Sequence, residues 1–360
     1  MKVGILGFPG SGKTTVFNAL TSSDQPVGPA AGRGKSRIGI ADVRDDRLPV
    51  LAEMWNPKKI TTATVEYVDV PGVAPGTSGL SGYLAEFKAL DAILHVIRGF
   101  EDESLPHVFD GIDAARDAEA MEAELLLSDL ALVESRLEKI AFDLSKKKDE
   151  ALQAEAAVLE QFKPVLEEEK PLRSRSWPEN DLAKVRGLAL LTLKPLLHVL
   201  NRGEEEAGDG VPELPEGLAA LNELEATGVT QLFGKIEAEI ALLAEEDATA
   251  FLEDLGLSER TADRVAAASY ALLDLISFLT AGEQEVRAWP IRRGTVARGA
   301  AGRIHSDIER GFIRAELVGY DDLVAAGSWA AARDTGTLRL EGKDYVVKDG
   351  DVILFRFNVG

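Results

Sequence analysis

The chain has 360 residues, 45% of them hydrophobic and 28% charged, and a formal net charge of −21. That length exceeds one ordinary hydrophobic core and predicts two or three domains. No run approaches the 18 apolar residues of a membrane span, and the lack of cysteine excludes disulfides and thiolate metal sites and fits a reducing, cytoplasmic setting.

The acidity is uneven. Residues 277–360 carry 12 Lys/Arg and 12 Asp/Glu, whereas the preceding part carries 28 basic and 49 acidic side chains. An acidic body with a neutral tail argues against general nucleic-acid binding by field alone. The first ten residues hold a five-residue apolar run, which reads as a strand rather than a signal peptide.

In chain order, residues 3–6 are a short buried-strand candidate. Gly7-Phe8-Pro9-Gly10-Ser11-Gly12-Lys13-Thr14 follows, then a helix-compatible run over 14–20. The octapeptide matches G-x-x-x-x-G-K-[ST]. Its glycines let the backbone curl so that successive N–H groups point at phosphate oxygens, and the next helix directs its positive end at the same anion. Pro9, Gly10, Ser11, Gly12, Lys13, Thr14 and Thr15 are therefore the expected nucleotide-binding set. Lys13 is expected to reach the β- and γ-phosphates as a catalytic cation, and the Thr14 hydroxyl to ligate Mg²⁺.

Residues 64–69 alternate as a strand and end in Asp69-Val70-Pro71-Gly72. An Asp at the C-terminal edge of a strand holds Mg²⁺ through water, and the Gly72 N–H is placed to sense a γ-phosphate. Residues 74–82 contain three Gly and two Ser and suit a switch segment. Val73 stands where Ras-type switches place a water-orienting Gln, which predicts slow turnover. Residues 93–97 are the next strand candidate.

From residue 117 to about 169 Gly and Pro are nearly absent. Leu126, Leu130, Val133, Leu137, Ile140 and Leu144 repeat at 4-3-4-3-4 spacing, and Leu152, Ala156, Leu159, Phe162 and Leu166 form a second apolar face. Two helices joined by a polar turn read as an inserted αα-hairpin over 113–189, with a pair of ordinary core-packed helices as the alternative. Residues 195–200 are a fourth strand, followed at once by Asn201-Arg202-Gly203-Glu204. Ras-type GTPases carry Asn-Lys-x-Asp here, the Asp taking two hydrogen bonds from guanine. Glu204 is one methylene longer, so that paired geometry is lost and base selection relaxes, while Asn201 can still meet an adenine edge.

A loop over 201–217, a strand over 229–233 and helical periodicity over 233–279 complete this part. The remainder reads as an α+β domain of about 80 residues, with strands expected at 286–291, 312–318, 338–340, 345–347 and 352–357.

These motifs resemble the Obg-like ATPase (YchF) family over nearly the whole chain. The carriers are G-F-P-G-S-G-K-T, D-V-P-G, K-P-L-L-H-V-L-N-R-G-E, and the C-terminal runs F-L-T-A-G-E, A-G-R-I-H-S-D, G-F-I-R-A-E and G-K-D-Y-V-V. The resemblance implies an α/β Ras-like P-loop NTPase domain (1–112 and 190–276), the inserted α-helical coiled-coil hairpin (113–189) and a C-terminal α+β β-grasp (TGS) domain (277–360). It implies Mg²⁺-dependent hydrolysis of ATP in preference to GTP, and action on the ribosome or RNA; nothing in the sequence demands more than a monomer. It also implies that His107 substitutes for the missing Gln; the alternative is a surface histidine.

Two departures stand out. Gly10 replaces a family Asn linked to a structural K⁺, and residues 30–46 contain no Thr to cap Mg²⁺ from the first switch. The basic run Gly32-Arg33-Gly34-Lys35-Ser36-Arg37 takes its place, as a phosphate contact or a solvated loop. The competing functions are a GTPase of the same fold and a non-catalytic, nucleotide-stabilised RNA or ribosome adaptor.

Overall fold

The computed structural model describes residues 1–27, 36–70, 87, 89–207 and 210–358, except the side chain of residue 245. The chain divides into two compact units, residues 1–41 with 66–272 and residues 42–65 with 273–360. Strand β2 (Arg37–Val43) and strand β4 (Ala63–Asp69) each begin in one unit and end in the other.

The first unit is built on a six-stranded sheet of order β2-β4-β1-β5-β6-β7, with β1 at Lys2–Leu6, β5 at Ala92–Gly99, β6 at Leu196–Arg202 and β7 at Thr227–Leu232. The pairs β1–β4, β1–β5, β5–β6 and β6–β7 are parallel. The central strands are buried along nearly their whole length, as strands covered on both faces must be. Register places Ile5 beside Asp69 and Leu6 beside His95, so the C-terminal ends of β1, β4 and β5 open at one edge. Helix α1 (Lys13–Thr21) starts there.

The long insertion contains α3 (Ala114–Lys146) and α4 (Glu150–Glu167); α2 (Arg47–Trp55) belongs to the other unit. Asp113 and Asp149 cap the two helices, accepting from the N–H groups of Arg116 and of Ala151 and Leu152. All eleven residues of the two apolar faces read from the sequence meet in one cluster, with Val133, Leu159 and Phe162 fully buried. Two buried polar contacts fix the insertion to the sheet. Arg173 pairs with Glu122 and reaches Thr227, and the Asp129 carboxylate accepts from the N–H groups of Leu191 and Thr192 (3.0 and 2.7 Å) and the Thr192 hydroxyl (2.6 Å).

The second unit has a mixed sheet of order β11-β10-β12-β8-β9-β3, with β3 at Ile60–Thr61, β8 at Leu275–Ala281, β9 at Val286–Arg292, β10 at Phe312–Gly319, β11 at Arg339–Glu341 and β12 at Asp351–Phe357. Its inner face (Ile276, Phe278, Ile291, Ala315, Leu317, Ile353, Phe355) packs on the helix Ala297–Ile304 through Ala297, Ala300 and Ala301. On the outer face, α2 packs on β8 and β9, and the helix Tyr320–Ala326 packs on β10 and β12. The Arg47 guanidinium ties the 42–65 segment down, donating to Asp45 and to Asp349 at 2.8 Å.

Several elements differ from the sequence reading, among them α2 and β3, which have no counterpart in it. Helix ends at Leu272 and β8 begins at Leu275, with Asp274 at φ 52° making the break; a short apolar run does not distinguish a buried strand from a helix turn. Residues 345–347 make only the isolated bridge of Val346 to Val296. Strand β2 is hidden from a sequence reading because, as an edge strand, it turns Ile38 and Ile40 outward and the small residues Gly39 and Ala41 inward, the reverse of the usual apolar-inward alternation.

Removing the Asp129 carboxylate strands three buried donors. Asp129→Ala is expected to lower stability by ~2–4 kcal/mol, and Asp129→Asn by less, in urea unfolding; an unchanged midpoint would show that the insertion is not anchored there.

Candidate functional site

The loop between β1 and α1 is closed by the Ser11 N–H bonding the Phe8 carbonyl at 3.2 Å, and the helix begins with Val16 N–H on the Gly12 carbonyl. Gly10 and Gly12 have φ of 79° and 87°, the left-handed region that costs other residues strain. Gly12 is required twice over, because a Cβ there would lie 2.2 Å from Asn201 Nδ2.

Lys13 lies across this loop, 9% exposed, with Nζ donating to the Phe8 carbonyl at 3.0 Å. Burial lowers its pKa to about 8, against a smaller upward pull from Asp69. A buried ammonium resting on a neutral carbonyl is a site short of negative charge.

Thr14 and Asp69 meet as the spacing predicted. The Thr14 hydroxyl donates to Asp69 Oδ2 at 3.1 Å, and the Arg37 guanidinium stands 4.0 Å from the same oxygen. Burial raises the Asp69 pKa, opposed by the Thr14 bond, Lys13 and Arg37. Two hard oxygen donors, one a carboxylate wanting a cation, fit Mg²⁺, which keeps most of its shell in water and phosphate. Among the described residues no cluster of three or more His, Cys, Asp or Glu competes as an all-protein metal cage. Thr15 lies half-buried in the first turn of α1. Gly72, Val73, the 74–82 segment and residues 32–35 of the basic run lie outside the described residues.

Asn201 is 3% exposed and braces the site. Its Nδ2 donates to the Ser11 carbonyl at 3.1 Å, and its Oδ1 accepts from Gly234 N–H at 3.0 Å. The carbonyl that would meet a base is thus used on backbone. Glu204 pairs with Lys235 Nζ at 2.7 Å, and Arg202 turns away to Gln231, Glu206 and the Glu213 carbonyl.

His107 sits beside the loop rather than free on the surface. Its Nε2 lies 3.2 Å from Asp117 Oδ2, and its Nδ1 accepts from Phe109 N–H at 3.0 Å. Arg116 holds the other Asp117 oxygen at 2.8 Å. A cavity of about 10 Å³, room for one water, is lined by Phe8, Ser11, His95, His107 and Asp117 among others. Ser11 Oγ and His95 Nε2 are buried without a hydrogen-bond partner among the described residues. His95 and His198 share a contact between their Nδ1 atoms at 3.1 Å, and burial pushes both pKa values down, His198 to about 3. They are core residues, as read from their apolar strands; His305 lies in the second unit.

Sequence reasoning passed over three residues: Asp117, Lys235 opposite Glu204, and Arg98, whose buried guanidinium gathers the carbonyls of Phe100, Asp102 and Leu105 behind Gly10. All act through tertiary contacts; the one visible signal was a charged residue ending the buried run of β5.

A family model named YchF-GTPase_C, described as a protein of unknown function, matches residues 275–358, and one described as a 50S ribosome-binding GTPase matches residues 2–126. The ribosome-binding ATPase YchF of Bacillus subtilis (strain 168) is 43% identical over 374 residues, covering 100% of each chain. Obg-like ATPase 1 of Caenorhabditis elegans is 34% identical over 370 residues, covering 100% of this chain and 93% of that one. The solved Schizosaccharomyces pombe YchF GTPase superposes with a TM-score of 0.83 at 29% identity, covering 99% of this chain and 97% of that chain.

The lowered Lys13 pKa fixes a sign. A bound polyphosphate stabilises the ammonium, so nucleotide affinity is flat below pH 8 and falls about tenfold per unit above it, until the pKa of the complex is reached. Without nucleotide, the buried charge costs up to ~3 kcal/mol below pH 8, relieved as pH rises from 8 to 10.5. Lys13→Met is therefore expected to abolish nucleotide binding yet raise the unfolding midpoint of the free protein at pH 7. A lowered midpoint would refute the burial argument.

Proposed function

The chain belongs to the YchF family of Obg-like ATPases, and on that premise we propose that it is a Mg²⁺-dependent nucleotide switch that hydrolyses ATP slowly and docks on the ribosome. The observation that carries the reading is the Lys13 ammonium, buried against a curled loop beside an Asp69 carboxylate that already holds Thr14, 55 residues before it. That arrangement is useful for a polyphosphate with its metal and costly without one.

Thr14 and Asp69 would hold Mg²⁺, which when bound would supply charge neutralisation to the phosphates. The residues 9–15 wrap the phosphates with backbone N–H groups, Lys13 countering charge that grows on the leaving oxygen. Gly72 would report the γ-phosphate. His107 orients the attacking water. In the structure its Nε2 is turned to Asp117 and its Nδ1 is occupied by the Phe109 N–H, so this step requires the ring to leave Asp117. A resting site with its water-orienting group engaged elsewhere fits slow intrinsic turnover.

ATP is preferred over GTP. Support comes from Glu204, whose longer side chain is drawn 2.7 Å from Lys235 rather than left free to take the paired N–H groups of guanine. The relatives' names supply the ribosome as partner.

Competitive titration with labelled ATP tests base choice. ATP is expected to displace the label better than GTP, and Glu204→Asp to narrow the ratio by about tenfold; tighter GTP binding by the wild type would overturn the assignment. In steady-state turnover, His107→Ala is expected to lower kcat by about 10²-fold with little change in ATP affinity. Equal kcat in both proteins would remove His107 from the mechanism. Co-sedimentation with purified ribosomes tests the partner.

A further inference from the structure

We infer that Arg37 is a phosphate-reading residue: its guanidinium, carried at the start of β2, takes the terminal phosphate of the bound nucleoside triphosphate. The inference rests on the nucleotide-switch reading above and names the residue by which that site tells a triphosphate from a diphosphate.

The strand pattern singles Arg37 out. Exposed and covered positions alternate along β2, with Ile38 and Ile40 turned outward and Arg37, Gly39 and Ala41 on the opposite face. That face meets α1. A Cβ added to Gly39 would stand 2.6 Å from Thr21 Cγ2 and 2.8 Å from Phe17 Cζ, so the glycine is what lets strand and helix touch. Ala41 is buried on the same side. After two small residues, an arginine at the next covered position breaks the pattern, and its side chain is only 26% exposed. Packing at Gly39 fixes the strand on the helix, and Arg37 then reaches the helix start. Its Nη1 stands 4.0 Å from Asp69 Oδ2, the oxygen that accepts from the Thr14 hydroxyl at 3.1 Å.

The sheet sets the order of charges. In the run β2-β4-β1, β1 leads into the loop bearing Lys13, β4 ends at Asp69 and β2 begins with Arg37. Two cations therefore converge on one carboxylate, and both favour its ionised form. That grouping suits a further anion. The Arg37–Asp69 contact is too long for a hydrogen bond, so little is lost from Asp69 when the guanidinium turns to a stronger acceptor. A terminal phosphate is such an acceptor, with more charge than a carboxylate and three oxygens for the planar donor fork. A diphosphate, gripped by the loop after β1, ends short of β2 and gives Arg37 nothing to hold. Residues 30–46 contain no threonine on this side of the site, and Arg37 brings positive charge there to the transferring phosphoryl oxygens.

The test uses the full chain and compares ADP with a non-hydrolysable ATP analogue, each competing against a labelled nucleotide in excess Mg²⁺. Arg37→Gln is expected to weaken the analogue by about 10- to 100-fold while ADP affinity stays within about twofold. The kcat for ATP is expected to fall by at least about tenfold in the same variant. Arg37→Lys keeps the charge without the fork and is expected to recover part of the analogue's affinity. Equal losses for ADP and the analogue would overturn the inference, because they assign Arg37 to holding Asp69 or the fold. So would unchanged affinity for both ligands. Tighter analogue binding by Arg37→Gln would overturn it too, marking Arg37 as a competitor for the Asp69 carboxylate. A wild-type chain that binds neither ligand would sink the nucleotide reading itself, and this inference with it.

Discussion

The energetic centre of this molecule is a cation in the wrong place. Lys13 is buried on a main-chain carbonyl, its ammonium weakened to a pKa of about 8 because Asp69 only partly offsets the lost hydration. The surroundings follow from keeping that charge ready for a polyanion. The loop must curl tightly enough to aim N–H groups inward, which needs left-handed backbone at Gly10 and Gly12. It must not collapse, which is why Asn201 reaches across from β6 to hold the Ser11 carbonyl and Gly234 together.

The same rule governs the layer beneath. His95 of β5 and His198 of β6 meet edge to face with pKa values pushed down by burial, so they add no positive charge next to Lys13. Arg173, from the helical insertion, adds to the depression at His198 and pairs with Glu122. The insertion thus reaches the nucleotide layer through a short run of buried polar contacts and is more than a helical pair appended to a sheet. Asp129 serves that end by accepting from two main-chain N–H groups and a hydroxyl just before β6.

The second unit handles charge differently. Its buried Glu316 is held below the usual carboxylate range, first by the Arg356 hydrogen bonds, and three arginines share it. Near the nucleotide, protein charge is hidden to await a ligand; on this sheet it is fixed but displayed. Residues 42–65 belong to this unit, held by Arg47 to Asp349, although the strands on either side begin and end in the nucleotide-binding unit.

The P-loop and the hairpin seam were legible because their physics is local. A curled phosphate loop requires glycines at fixed offsets, and a helix pair writes its contact face as a 3.5-residue period; Leu126 to Leu144 and Leu152 to Leu166 duly share one core. What the sequence could not state is where long-range partners fall. Asn201 and Glu204 read as base-facing residues, yet tertiary packing turned one into a brace and paired the other with Lys235, 31 residues on. His107 and Asp117 met through the start of α3, and residues 42–65 joined the second unit through contacts such as Arg47 to Asp349, spanning 302 positions. Periodicity records which face of an element is buried; only the folded chain decides what that face is buried against.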